Sequence, residues 1–61
     1  MSENYKPERA AEYLDTTVGT LANWRMQGIG PAYLKAGKFV RYPKAELDRW
    51  VAERLQGTQS A

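Results

Sequence analysis

The stretch whose reading decides the architecture is Asp15-Thr16-Thr17-Val18-Gly19-Thr20-Leu21-Ala22-Asn23-Trp24-Arg25-Met26-Gln27-Gly28-Ile29-Gly30-Pro31. Thr17, with Thr16 as a close alternative, is placed to cap a helix start, because a Thr hydroxyl accepts from a backbone N–H of the first turn. Gly28 suits the residue just past the helix end, where a left-handed conformation is needed, and Gly30-Pro31 prevents the helix resuming. The spacing therefore predicts a short helix through Gln27. On its wheel Leu21 and Trp24 fall on one side, while Gly19, Ala22, Asn23 and Met26 fall on the other. Large apolar residues at helical spacing read as core, so the first side faces inward and the second outward.

Working outward, Pro7, Ala10, Ala11 and Leu14 recur at i, i+3, i+4 and i+7, one face of an earlier amphipathic helix. Pro7 suits its first turn, and Glu8 complements the positive end. Lys6 stands where a capping Ser, Thr or Asp would be expected, so this start is weakly capped. The link between the two helices is short enough to require a bent helix-turn-helix rather than a long antiparallel pair. Downstream, Tyr33 to Tyr42 switches to period two around Gly37, which supplies the positive φ of a tight hairpin. Leu34, Ala36, Val40 and Tyr42 form the set expected to face a core; Tyr33, Lys35, Phe39 and Arg41 form the outward set. Pro43 ends the second arm and opens a third helix with an apolar stripe of Leu47, Trp50, Val51 and Leu55. Glu46–Arg49 and Arg49–Glu53 are spaced as surface ion pairs on this closing helix. The fold class is mostly α with a small β-hairpin, a winged helix-turn-helix in the order helix, helix, hairpin, helix. One domain over 5–56 is expected, with a flexible lead-in at 1–4 and a flexible tail at 57–61.

Sixty-one residues with no cysteine and no histidine exclude disulfides and catalysis by either side chain, and make a zinc site improbable. A chain this short has little room for a substrate pocket beside a core, which argues against an enzyme. Apolar runs of two or three residues are far from a membrane span, and the composition reads as cytosolic. The charge is unevenly placed. Between Thr16 and Ala45 there are five basic residues, Arg25, Lys35, Lys38, Arg41 and Lys44, and no acidic one. A positive surface on a short helix and a hairpin is what a duplex-binding module needs, because the phosphate backbone dominates affinity.

Candidate contacts follow from side-chain chemistry. Asn23 can offer its amide bidentately to adenine in a major groove. Gly19 lets the backbone approach closely, at a cost of about 1 kcal/mol in helix propensity. Thr17 and Thr20 can donate to phosphate, although capping already accounts for Thr17, and Arg25 lies on the flank, suited to phosphate. Val18 and Ala22 complete the reading helix. On the hairpin, Lys35, Lys38 and Arg41 can make a joint electrostatic contact, or guard an exposed strand edge. Phe39 has three open placements: against DNA, against a second protomer, or folded back on the third helix. No catalytic group, cofactor site or metal site is expected.

Pro7-Glu8-Arg9-Ala10-Ala11-Glu12-Tyr13-Leu14, Thr17 to Arg25, and Gly37-Lys38-Phe39-Val40-Arg41-Tyr42 with Leu47 and Trp50 together resemble the excisionase family of winged-helix proteins related to the MerR DNA-binding domain. The resemblance covers about Tyr5 to Leu55. It implies that the second helix enters the major groove, with base contacts from Gly19 and Asn23, and that Lys38 and Arg41 on the wing contact backbone. It further implies a phage- or prophage-encoded protein of the bacterial cytoplasm that binds attachment-site DNA as several adjacent copies. Such a protein bends the DNA and assists an integrase in excision, with no small-molecule effector and no membrane partner. Two departures matter: many relatives carry a longer residue at Gly19, and an Arg where Ala22 or Asn23 stands. A small phage regulator of the same fold is the alternative within DNA binding, and a protein-interaction adaptor the alternative outside it.

Overall fold

The computed structural model describes residues 3–59, with side chains through Arg54. Six elements follow in order: β1 (Asn4–Tyr5), α1 (Pro7–Tyr13), α2 (Val18–Gln27), β2 (Leu34–Ala36), β3 (Phe39–Pro43) and α3 (Lys44–Gln59). This is the expected helix-turn-helix with a hairpin wing and a closing helix, plus a strand that sequence reading did not find. The side chain of Leu55, and residues 1, 2, 60 and 61 of those read as lead-in and tail, lie outside the described residues.

The helix ends form as their residues dictate. α1 begins at Pro7 with no side-chain cap from Lys6. It ends in a turn where Asp15 takes a left-handed φ of 58°, and Thr16 N–H donates to the Ala11 carbonyl at 2.8 Å. Asp is among the few residues that tolerate that conformation. Thr17 then caps α2, its Oγ1 accepting from the Thr20 N–H at 3.1 Å. At the other end Gly28 N–H donates to the Arg25 carbonyl at 3.2 Å and Ile29 N–H to the Trp24 carbonyl at 2.9 Å, the two bonds of a Schellman motif. Both ends of α2 are thus closed by side chain or backbone, which fixes a ten-residue helix that would be marginal alone.

The strands form one antiparallel sheet in the order β1-β3-β2. Tyr5 pairs with Tyr42, and Leu34, Lys35 and Ala36 pair with Arg41, Val40 and Phe39. Gly37 alone of the two turn residues has positive φ, at 59°, as a type II′ hairpin requires. Residues directly opposite in an antiparallel pair share a face. Leu34 and Ala36 therefore lie with Phe39 and Arg41, and Tyr33 and Lys35 lie with Val40 and Tyr42. The expected assignment of Leu34 and Ala36 to the core side is corrected: Leu34 is 55% exposed. Tyr33 instead sits against Tyr42, ring centroids 5.9 Å apart.

The core is small and central. Tyr5, Ala10, Ala11, Leu21, Tyr42 and Leu47 are buried, with Leu14, Trp24 and Val40 packed against them. Every helix and the central strand contribute, so α2 is held on its Leu21 side and leaves the opposite side uncovered. Trp24 meets Trp50 of α3 at 5.3 Å between ring centroids, which anchors the C-terminal half of α2.

Candidate nucleic-acid interface

With Leu21 buried, the outer strip of α2 is exposed at Gly19, Asn23 and Met26, spaced i, i+4 and i+7. Val18 extends it at the N-terminal end, where the cap already engages Thr17 and Thr20. The Thr17 hydroxyl donates to Thr20 Oγ1 at 2.9 Å, which leaves the Thr20 proton available to an outside acceptor. A Cβ built on Gly19 would meet nothing nearer than Thr17 Oγ1 at 3.9 Å, so its backbone lies open to approach. Asn23 is exposed, and its amide makes no hydrogen bond among the described residues. Ala22 is half-buried and contributes less surface than its wheel position suggested. Met26, placed on the outward face but not read as a contact residue, is 87% exposed.

Arg25 is not a loose flank residue. Its Nη1 donates to the Tyr42 hydroxyl at 2.6 Å, and its guanidinium carbon lies 5.8 Å from the Tyr33 ring centroid. The side chain is half-buried and links α2 to β3. The wing itself divides. Arg41 and Phe39 share one face, with the guanidinium 5.3 Å over the ring, while Lys35 opposes Val40 on the other face. Lys35 and Arg41 were expected together, and the register separates them. Phe39 is 65% exposed, so it does not fold back onto α3.

One hollow gathers four of the nine basic residues. Lys6, Arg25, Lys38 and Arg41 line it together with Phe39 and a single acid, Glu8. Lys35 is not part of it. Lys44, the last cation of the acid-free block, is internally compensated: its Nζ lies 2.9 Å from Asp48 Oδ2 on α3. Asp48 also accepts from the Tyr13 hydroxyl. That cluster lowers the Asp48 pKa, first through the Lys44 hydrogen bond and then through Tyr13. The Asp48 carboxylate, as hydrogen-bond partner, raises the pKa of both Tyr13 and Lys44. Its role is to join α1 to α3. Lys6 was read only as a poor cap, yet the first helical turn brings it beside the wing. Four cations around one anion, and on α2 an uncovered face with a free amide, are groups suited to a polyanion that carries readable edges.

Among the described residues, no helix is long and apolar enough to cross a membrane, and no three His, Cys, Asp or Glu side chains come together as a metal site. Neither a curated protein nor a solved structure matches the chain. The family model of a helix-turn-helix domain matches residues 5–55. With nearly all of its length covered by that match, the chain belongs to the helix-turn-helix domain family, a family of DNA-binding proteins.

Proposed function

We propose that this protein reads duplex DNA by laying α2 in the major groove while the β2–β3 wing rests on the adjacent backbone. The observation that carries this is the outer strip of α2. Gly19 and Asn23 are exposed and uncommitted on a helix whose two ends and inner face are all fixed. Asn23 supplies a bidentate donor–acceptor pair for an adenine edge, and Gly19 and Val18 allow the helix to sit deep. Thr17, Thr20 and Arg25 take phosphates beside the groove, and Lys38 and Arg41 take those under the wing. The protein acts by binding rather than by catalysis.

Within that role the reading is an excisionase, a recombination directionality factor. Adjacent copies on attachment-site DNA bend it and assist an integrase in excision. The resemblance of the α1, α2 and wing motifs supports this, and so does the sparse reading face, which gives one copy few base contacts. Selection of bound sequences from a random duplex pool, followed by an excision assay with an integrase and its attachment sites, tests it. A single preferred motif in tandem and integrase-dependent excision are the expected results. Binding without stimulation of excision would assign the chain to regulation instead. Affinity that is indifferent to salt would remove DNA as the partner.

A further inference from the structure

The weak start of α1 has a physical consequence at the surface. Lys6 occupies the capping position, with extended backbone angles of −65° and 158° and no side-chain bond to the first turn. A Ser, Thr, Asp or Asn there would strengthen the helix, so a cation at this site is locally unfavourable. It is also rigidly placed. The preceding residue, Tyr5, is buried and paired with Tyr42 of β3, and the Lys6 carbonyl accepts from the Ala10 N–H at 2.9 Å. The side chain is exposed and makes no ion pair among the described residues. It lines the same hollow as Arg25, Lys38 and Arg41, a hollow bounded by the start of α1, the wing and Arg25 of the reading helix.

We infer that Lys6 is a third anchor for the DNA backbone: a phosphodiester seated in this hollow is held by Lys6 from below and by Lys38 and Arg41 from the wing. The inference rests on the DNA-binding reading and adds to it a contact from outside both the reading helix and the wing. It gives Glu8 a role of opposite sign. Glu8 lies in the hollow and makes no ion pair there, so its carboxylate opposes an incoming phosphate while complementing the helix end.

Two substitutions separate this from a structural role, because each moves stability and binding in opposite directions. Lys6→Ser supplies the missing cap, so the melting temperature should hold or rise. Duplex affinity should fall by up to about eightfold at ~0.1 M salt, and the slope of log affinity against log salt should flatten by about 0.9. Glu8→Gln should tighten binding while leaving the fold no more stable. Arg49→Ala, which removes one charge from the far helix and its 3.2 Å bridge to Glu46, serves as the charge control and should leave the slope unchanged.

Fluorescence anisotropy across a salt series reads all four proteins. An unchanged slope for Lys6→Ser, or an equal change for Arg49→Ala, would overturn the inference. Absence of any salt-dependent binding by the unaltered protein would instead overturn the DNA-binding reading beneath it. Amide shifts at Lys6 in the unaltered protein should follow duplex addition. The same shifts with millimolar inorganic phosphate alone would make the hollow a free-anion site and overturn the backbone assignment.

Discussion

The bond between Arg25 and Tyr42 is the contact whose removal says most about how the reading helix and the wing are coupled. Tyr42→Phe deletes one oxygen and keeps the buried ring, so core packing around Leu21 and Leu47 is preserved. What is lost is a 2.6 Å hydrogen bond from a guanidinium. Bonds to charged groups contribute about 1.5–3 kcal/mol when buried, and Arg25 is only half-buried, so water recovers part of that; about 1–2 kcal/mol remains. For a domain of this length that corresponds to a fall in melting temperature of roughly 8–16 °C. Urea unfolding followed by far-UV circular dichroism should show an earlier midpoint with an unchanged slope. Arg25→Gln and the double variant complete a cycle, whose coupling should be about 1 kcal/mol. Strict additivity, or a midpoint within error of the parent for Tyr42→Phe, would refute the claim that this bond ties α2 to β3.

Other expectations are more local. Asn23→Ala should cost about 1–3 kcal/mol on the preferred duplex and relax one base position, measured by competition binding against single-base variants of the site. Lys38→Ala should weaken all sequences about equally and lower the salt slope by about one, with no change of preferred motif. Gly30→Ala should lower stability by about 2–3 kcal/mol, because a side chain there is strained at φ 89° and its Cβ would lie 3.0 Å from the Trp24 ring; thermal melts measure it. Asp48 has its pKa lowered by Lys44 and then Tyr13, so its contribution to stability is present above the ordinary carboxylate pKa and is lost as pH falls through the lower folded value. Acid unfolding should therefore steepen below about pH 4, and Asp48→Asn should flatten that limb.

Much of this arrangement was legible because it is local. The Thr17 cap, the Gly28 stop, the Pro7 start and the Gly37 turn are each decided by one residue's chemistry, and the helices follow from apolar spacing between them. What escaped depends on a partner elsewhere in the chain. β1 is two residues long, too short for any period, and exists because Tyr5 finds Tyr42. Leu34 was misplaced because alternation was read separately in each arm. A two-residue turn fixes which residues stand opposite, and that rule puts Leu34 beside Arg41. The acid-free block looked like one positive side, but charge along a chain says nothing of what packs against it. α3 brings Asp48 to Lys44. Arg49 bridges to Glu46 at 3.2 Å, the nearer of the two partners its spacing allowed.

The distribution of charge and reading groups sets a limit on what a single copy can do on the proposed DNA site. The cations are concentrated in the hollow and on the wing, where they meet phosphates that are the same in every sequence. Discrimination falls to the outer strip of α2, where Asn23, among the residues assigned to base reading, is the one side chain able to make a bidentate base contact. One such contact separates right from wrong bases by about 1–3 kcal/mol, roughly five- to 150-fold. Specific sites usually exceed non-specific DNA by about a thousandfold or more. The remainder has to come from DNA shape or from neighbouring copies, since adding cations raises both kinds of binding together. Tandem sites should therefore be bound with a selectivity that an isolated half cannot reach. A single isolated site bound a thousandfold above random duplex would show that the strip reads more than its side chains offer.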